Sequence, residues 1–220
     1  MRNGGIEGVL SGLKPGETVL VEHDSVSSPE LFLYLLSRWC ASAEKPLLID
    51  DFSDTFPEYV ARLELMGLDV GPLMEVPVIK IGGRRKFGNV AGRVDLDKYS
   101  LDFGYYNRIY QNVVPGELVC NPVLGMHKLF VVLERTALIR LVRNVSTFVG
   151  NRSRFALYFI NRDVLERVTP ELLPLLEEIS STVLMWEANG GEYRLRVVKA
   201  ANDEILGSTV SLSFKDVAKK

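Results

Sequence analysis

Short apolar runs and longer amphipathic segments alternate along the first 83 residues. The apolar runs predict three strands, at 18–21, 46–52 and 76–83. The amphipathic segments repeat their apolar side chains every three or four residues and predict helices at 27–45 and 56–70. Strands that alternate with helices in this way form a parallel sheet with helices on its faces.

The rest of the chain carries the same two kinds of element in a less regular order. The predicted elements are a tyrosine-rich helix at 101–112, a strand at 116–125, a helix at 130–150, a strand at 154–162, a short helix or turn at 169–180, and three closing strands. Asn189-Gly190-Gly191 suits a hairpin turn between two of the closing strands. No repeat, low-complexity tract or long linker interrupts the sequence, so residues 1–220 are predicted to form a single domain.

Composition excludes several classes of protein. The chain is 47% hydrophobic with a net charge of −2, which gives no general attraction to nucleic acid or to an anionic membrane. Cys40 and Cys120 lie far apart within apolar runs, so we expect two small buried side chains rather than a disulfide or a zinc site. The N-terminus lacks the apolar core of a signal peptide, and no apolar run approaches the ~20 residues that cross a bilayer. These features predict a soluble, cytoplasmic protein.

Four stretches, taken in order, are similar to the landmarks of one ATPase class. They are LKPGETVLVEHDSVSSPELFLYLL, PLLIDDFSDTFPEYVARLELMGLDV, GELVCNP and YRLRVVKAAND. Their order resembles RecA/KaiC-type P-loop ATPases, and more closely the uncharacterised archaeal KaiC-like proteins that lost the P-loop, over residues 10–214. The resemblance implies an α/β three-layer sandwich with a mostly parallel central sheet and antiparallel C-terminal strands.

The segment that corresponds to the phosphate-binding loop lacks the residues that bind phosphate. A working loop uses glycines to expose backbone amides, a lysine for the β/γ-phosphates and a hydroxyl for magnesium. Under the resemblance the first and last glycines fall on His23 and Ser28, the lysine on Pro29 and the hydroxyl residue on Glu30. Glu30, together with Glu22 and Asp24, would repel a triphosphate by roughly 2–4 kcal/mol each across ~4–8 Å at an effective dielectric near 20.

The other ATPase landmarks are only partly kept. The Walker B aspartate falls on Asn121, which would hold a magnesium-bound water less strongly. The catalytic carboxylate pair is retained in kind as Asp50 and Asp51. We therefore expect no ordinary Mg-ATP hydrolysis, no catalytic residues and no cofactor.

Several residues at the predicted carboxyl edge of the sheet allow two interpretations. Asp50 and Asp51, with Asp24, would form a cation site, or they cap the following segment and face water. His23 could join these acids in a mixed nitrogen–oxygen metal site, or make a single hydrogen bond in a solvated loop. His127 could approach His23 from the neighbouring loop, or lie on the surface.

Three serines in the same loop raise the question of nucleophilic catalysis. Ser25, Ser27 and Ser28 are not part of a G-x-S-x-G elbow, and the sequence specifies no histidine–acid pair for them. Capping of the following helix explains Ser27 and Ser28 better.

Basic residues are locally concentrated and suggest a nucleic-acid interface. The first group is Arg84, Arg85, Lys86 and Arg93, and a second follows as Arg135, Arg140, Arg143, Arg152 and Arg154. Tyr105, Tyr106 and Tyr110 could stack on bases, but their spacing is also that of a helix packed on the sheet. The competing interpretation of the arginines is a solvated face that matches acids on a neighbouring subunit.

Our leading hypothesis is a non-catalytic, P-loop-degenerate module that binds a protein or peptide, or regulates one, and that could form homo-oligomers. The partner would use a cleft formed by His23, Asp24, Ser25, Ser27, Ser28, Asp50, Asp51 and Asn121. The alternatives are an atypical nucleotide- or metal-binding protein that uses the Asp50/Asp51 edge, and a nucleic-acid-binding RecA-like module that uses the first basic group.

Overall fold

A computed structural model describes residues 5–97, 100, 101, 103–114 and 118–218. Its centre is a nine-stranded sheet in the order β11-β10-β9-β1-β8-β7-β2-β3-β4. The strands are β1 Thr18–His23, β2 Ile49–Phe52, β3 Pro77–Ile81, β4 Asn89–Val94, β7 Val119–Leu124, β8 Arg154–Asn161, β9 Thr182–Asn189, β10 Glu192–Lys199 and β11 Thr209–Ser213. The strands from β9 to β4 in this order run parallel, and β10 and β11 add an antiparallel extension. A separate small hairpin pairs β5 Leu96–Asp97 with β6 Ser100–Leu101.

Helices cover both faces of the sheet. They are α1 Ile6–Ser11, α2 Pro29–Ser42, α3 Thr55–Leu65, α4 Gly71–Glu75, α5 Phe103–Val113, α6 Leu129–Val132, α7 Arg135–Ser146, α8 Arg162–Val168, α9 Leu172–Ile179 and α10 Phe214–Ala218. One buried cluster joins α1–α4 and α10 to one face, and a second joins α5–α9 to the other face. The predicted three-layer α/β sandwich, with its parallel sheet and antiparallel C-terminal strands, is confirmed.

The alternation of side chains along each strand decides which face a residue joins. On β1, Val19 and Val21 belong to the α2/α3 cluster, whereas Leu20 belongs to the α5–α9 cluster. His23 therefore points to the α2/α3 face and Glu22 to the opposite face. Side chains alternate in the same way along β2, so the neighbouring carboxylates Asp50 and Asp51 point to opposite faces of the sheet.

The local structure differs from the sequence analysis in two places, and one prediction there was wrong. The helix expected at 130–150 is interrupted, because Leu133 and Glu134 adopt extended backbone between α6 and α7. The region 82–112 holds the edge strand β4 and the hairpin in addition to the expected tyrosine-rich helix α5.

The cysteines and the helix lengths agree with the sequence analysis. Cys40 and Cys120 are free and buried. No helix within the described ranges has the length and apolarity needed to span a membrane.

Candidate functional site

A cleft of about 270 Å³ opens where β1 ends and α2 begins. Its lining includes four residues that the sequence analysis placed there, His23, Asp24, Ser25 and Ser28. The remaining lining comes from the following loop and α2, from α3, and from the ends of β7 and β8, as Val26, Pro29, Glu30, Thr55, Glu58, Tyr59, Arg62, His127, Lys128 and Asn161. The cleft therefore lies at the carboxyl edge of the parallel strands, where ligands bind in open α/β sheets.

Side chains already occupy backbone amides of the loop. The Asp24 carboxylate accepts hydrogen bonds from Val26 N at 2.9 Å and from the Ser27 hydroxyl, and Asp163 accepts one from Ser25 N at 2.9 Å. In a phosphate-binding loop such amides face the ligand. Here the amides of Ser25 and Val26 are instead bound by the carboxylates of Asp163, from α8, and Asp24.

The expected serine caps are absent. Ser28 occupies the N-cap position of α2 in a left-handed conformation, with φ of 50°, and makes no side-chain cap hydrogen bond. Ser27 is buried and its hydroxyl turns back to Asp24, so it does not line the cleft. The prediction that these serines cap the helix through their side chains was wrong.

Pro29 and Glu30 stand at the start of α2, where the resemblance would place a lysine and a hydroxyl. The Glu30 side chain is buried, and Arg62 Nε lies 3.1 Å from its Oε2. That separation is within ion-pair range, but the alignment is too poor for a hydrogen bond, so Glu30 Oε2 lacks a hydrogen-bond donor. The second residue of α2 is thus a buried carboxyl group that pairs with Arg62.

The two histidines meet in the cleft. His23 and His127 rings have centroids 5.8 Å apart in an edge-to-face arrangement, as the shared sheet edge suggested. His127 is only 9% exposed, so the interpretation of a surface loop histidine was wrong. The short 3₁₀ helix Met126–Lys128 after β7 turns its ring inward.

A hydrogen bond fixes the tautomer of the His23 ring. His23 Nδ1 lies 2.9 Å from the carbonyl oxygen of Asp24, which can only accept, so Nδ1 carries the proton and Nε2 is an unprotonated acceptor. Nδ1 of His127 is buried without a hydrogen-bond partner. Burial lowers the pKa of His23 to about 4, and burial together with His23 lowers the pKa of His127 to about 4. Both rings are therefore neutral at pH 7.

Other cleft atoms also lack partners. The hydroxyl of Tyr59 is buried without a hydrogen bond, as are His23 Nε2 and His127 Nδ1. Burial, with Glu30 adding to it, raises the pKa of Tyr59, so this side chain is neutral as well. Buried polar atoms without partners carry a free-energy cost, and several of them at one cleft mark a place for a ligand or for water.

Asp51 lies outside the cleft, in a buried ion pair. Its Oδ2 accepts from Lys80 Nζ at 2.7 Å, and its Oδ1 accepts from Phe56 N at 2.8 Å at the start of α3. Lys80 also pairs with Asp54, whose carboxylate in turn accepts from Arg84 N at 2.7 Å. The expected capping role of Asp51 is confirmed by the bond to Phe56, but the expectation that it faces water was wrong.

Asp50 is buried on the other face of the sheet. It accepts a 2.6 Å hydrogen bond from the Tyr106 hydroxyl, which also receives one from Arg154 Nη1 at 3.1 Å. The same Arg154 Nη1 donates to Asn121 Oδ1 at 2.9 Å, and the Arg154 guanidinium lies 4.2 Å from the centre of the Phe148 ring. The adjoining void of about 20 Å³ has room for roughly one water. Burial raises the pKa of Asp50 to about 6.

This network corrects three expectations. Asp50 and Asn121 do not line the cleft, and Asp50 does not face water. Arg154 is 3% exposed and does not belong to a solvated basic face. An arginine at the start of a strand gave no signal of burial, because its partners Tyr106 and Asn121 come from distant parts of the chain.

An acidic pocket that the sequence analysis missed adjoins the cleft and shares Asp24 with it. It encloses about 220 Å³ and is lined by Glu22, Asp24, Arg162, Asp163, Glu166, Met185, Trp186 and Glu187. Glu22 is buried, and its pKa is raised to about 7 by burial and by Glu177. Only the alternation along β1 could have indicated that Glu22 and His23 face different pockets.

The first basic group lies at the far end of the same sheet edge. Arg84, Arg85 and Lys86 are exposed on the loop after β3, and Arg93 is exposed on the edge strand β4. Tyr106 and Tyr110 are buried against the sheet, so the packing interpretation holds for these two tyrosines. Over the described ranges, no group of three or more histidine, cysteine or acidic residues has a metal-binding arrangement.

Strand order and the position of the cleft define the class of protein. The chain superposes on a solved structure described as an ATPase domain, with a TM-score of 0.58 at 14% identity, covering 98% of this chain and 91% of that one. At this identity the likeness shows the fold alone, and the fold is RecA-like.

The family follows from sequence similarity. Residues 8–211 match the family described as "Pyrococcus protein of unknown function, DUF257", and the chain belongs to this family. A solved structure from Pyrococcus horikoshii OT3 is 37% identical, superposes with a TM-score of 0.84, and covers 94% of this chain and 97% of its own. No curated protein matches the chain. The RecA-like part of the resemblance is thus confirmed.

Proposed function

We propose that the protein is a non-catalytic, P-loop-degenerate relative of KaiC-like ATPases that binds a protein or peptide in the archaeal cytoplasm. The observation that carries this proposal is the state of the loop between β1 and α2. Asp24 and Asp163 occupy its amides, and Pro29 and Glu30 stand at the lysine and hydroxyl positions. A triphosphate would find the amides of Ser25 and Val26 already occupied and no basic side chain in residues 24–28.

The surviving carboxylates support the same conclusion. A carboxylate that acts on a water or a magnesium ion needs access to the cleft. Asp51 is neutralised by the buried Lys80, and Asp50 faces Tyr106 on the opposite side of the sheet. The alternative of nucleotide or metal binding at the Asp50/Asp51 edge therefore lacks a carboxylate of this pair that lines the cleft.

Binding, rather than chemistry, fits what remains open. The cleft keeps a volume of about 270 Å³ and buried atoms without partners on His23, His127 and Tyr59. A partner segment that enters the cleft would satisfy these atoms and remove their free-energy cost.

The test is a selection of random displayed peptides on the full-length protein, with the folded variant His23→Leu as counter-selection. We expect peptides that bind the wild type at least 10-fold tighter than the variant. A matched control is Val26→Ala, which shortens an exposed apolar side chain at the cleft rim and removes no hydrogen-bonding atom. The proposal would be contradicted if no selected peptide binds the wild type more tightly than it binds His23→Leu.

A nucleic-acid-binding role is the second candidate, because Arg84, Arg85, Lys86 and Arg93 are all exposed near one end of the sheet. It predicts salt-sensitive retention on DNA or RNA that disappears in the Arg84→Ala/Arg85→Ala/Lys86→Ala variant. Unchanged retention in that variant would exclude the basic group as the interface.

A further inference from the structure

We propose that the cleft receives a lysine or arginine side chain from a partner protein segment. This inference rests on the proposed function and adds the chemistry of the ligand. Four observations carry it: the kind of free atoms in the cleft, the charge of its lining, the acidic pocket beside it, and the lack of a metal-binding arrangement among the described residues.

His23 Nε2 can only accept a hydrogen bond, because the other nitrogen of that ring donates to the backbone carbonyl of Asp24. His127 Nδ1 is a second buried ring nitrogen without a partner, and Glu30 Oε2 is a buried carboxylate oxygen that has only the Arg62 ion pair beside it. A phosphate or a carboxylate would add negative charge beside Glu30, whereas an ammonium or guanidinium group brings positive charge and three to five N–H donors.

The charges of the lining favour a cation over a neutral donor. Three carboxylates and two basic side chains line the cleft, namely Asp24, Glu30, Glu58, Arg62 and Lys128. The cleft is therefore net negative while both histidines are neutral. Lys128 Nζ is already engaged with Glu58 at 2.8 Å, and Arg62 lies beside Glu30, so neither reaches the histidine acceptors in the present arrangement.

The adjoining acidic pocket extends this negative surface along the sheet edge. Its carboxylates are Asp24, Asp163, Glu166 and Glu187, with Glu22 partly protonated at pH 7, and the arginine in its lining, Arg162, is held by Glu166 at 3.0 Å. Because Asp24 lines both cavities, a segment with two basic residues would place one side chain in each. This continuity distinguishes a protein segment from a small isolated amine.

A metal ion is a poorer occupant. Two imidazole rings line the cleft with centroids 5.8 Å apart, and no third histidine, cysteine or acidic residue among the described residues completes a metal site with them.

The experiment titrates the full-length protein with two peptides by calorimetry. The basic probe is acetyl-GGRRKFG-amide, which copies the exposed loop sequence of residues 82–88, and the control peptide has glutamine at its three basic positions. We expect the basic probe to bind at least 10-fold tighter than the control. We also expect at least a 10-fold loss in His23→Leu and a loss of 3-fold or more in Glu187→Gln. Glu192→Gln, an exposed acid on β10 outside both cavities, should bind as the wild type does.

A second readout does not depend on any variant. The chain has only two histidines, so long-range ¹H–¹⁵N spectra of the rings contain two spin systems. The basic probe should shift His23 Nε2 and His127 Nδ1 as they accept hydrogen bonds, whereas inorganic phosphate should leave both unchanged.

The outcomes separate this inference from the proposed function. Equal binding of both peptides, or ring shifts caused by phosphate, overturns the inference. If selected neutral or acidic peptides bind through His23, the proposed peptide-binding function is supported and the basic ligand is excluded. If Mg-ATP binds in the cleft, both the proposed function and the basic ligand are excluded. The protein could also supply the basic segment to a second copy of itself. In that case the protein should self-associate, the basic probe should disrupt the association, and the Arg84→Ala/Arg85→Ala/Lys86→Ala variant should abolish it, which would support the inference.

Discussion

Lys80 is the residue on which the burial of the Asp51 carboxylate depends. Its side chain is fully buried and pairs with Asp51 and Asp54, while the backbone amides of Arg84 and Arg85 bind the same Asp54. A buried carboxylate without its cation is costly, since desolvation is no longer compensated. The ion pair therefore both stabilises the fold and removes Asp51 from the chemistry of the cleft.

The substitution Lys80→Met should lower the free energy of unfolding by about 3–5 kcal/mol, because it leaves Asp51 buried and unpaired. The matched control is Lys128→Met, which breaks the partly exposed pair with Glu58 and should cost less than about 1 kcal/mol. Urea denaturation of the three proteins measures both values. Equal losses in the two variants would show that the Lys80 pair is not a buried structural pair.

The cleft histidines give the second prediction at this scale. Both rings should remain neutral to well below pH 6 and titrate near pH 4. The ring ¹⁵N shifts should also show the proton on Nδ1 of His23. A ring that titrates near its ordinary value of about 6.5 would contradict the burial of these acceptors.

The same pKa values set the direction of a stability effect. An unfolded histidine takes up its proton near pH 6.5 and the folded one only near pH 4, so the His23 contribution is fully present above pH 6.5 and falls as the pH drops. Glu22 and Asp50 act in the opposite direction, because their raised folded pKa values stabilise the fold as the pH falls. The difference between wild type and His23→Leu isolates one of these contributions. The difference in the free energy of unfolding between the two proteins should change by about 2 kcal/mol in favour of the variant as the pH falls from 6.5 to 5.

Single residues were predictable from the sequence only where local pattern decides their position. The approach of His127 to His23 followed from two loops that leave one sheet edge. The burial of Arg154 did not follow, because its partners Tyr106 and Asn121 lie 48 and 33 residues away. The pairing of Lys80 with Asp51 depends in the same way on the neighbouring positions of β2 and β3, which the order along the chain does not specify.

At the scale of elements, Gly125 joins the end of β7 to the short helix that carries His127. Its φ is 76°, and a Cβ atom there would clash with Thr55 Oγ1 and lie 2.7 Å from the Phe52 carbonyl oxygen. Only glycine allows β7 to turn this closely over the start of α3. The position of one histidine therefore depends on a glycine in another element.

The substitution Gly125→Ala should lower the free energy of unfolding by about 3–5 kcal/mol, from left-handed backbone strain plus overpacking. Gly67→Ala is the matched control, since its φ is 77° but no atom lies within 4 Å of the added methyl group. That variant should lose only about 1–2 kcal/mol. Thermal or urea denaturation compares the two, and a Gly125→Ala loss no larger than that of Gly67→Ala would contradict the close contact.

The elements that sequence analysis predicted well are those with strong periodicity. Helices α2 and α3 and the buried parallel strands each carry a clear pattern of apolar residues. The break between α6 and α7 escaped detection because the buried Phe130, Leu138 and Leu141 keep a helical spacing across it. The edge strand β4 was missed because it is half exposed and contains Gly92 and Arg93, so it shows no apolar run.

For the whole molecule, the sheet and its two helical layers are RecA-like, and our proposal is that the groups of phosphate chemistry are replaced. The sequence indicated this combination through Pro29 and Glu30 at the loop, because those residue types cannot perform the expected roles. It could not show that Asp24 and Asp163 close the loop, since Asp163 lies 138 residues from its partner Ser25. The central claim is therefore that the edge of the sheet binds a partner segment and not a nucleotide.

Calorimetric titration of the full-length protein with Mg-ATP tests this claim most directly, with the structurally similar ATPase domain as the positive control under the same conditions. The account predicts no binding tighter than about 1 mM. Binding tighter than about 100 μM, equivalent to ~5.5 kcal/mol, would contradict it, since the closed loop and Glu30 could not then exclude a triphosphate.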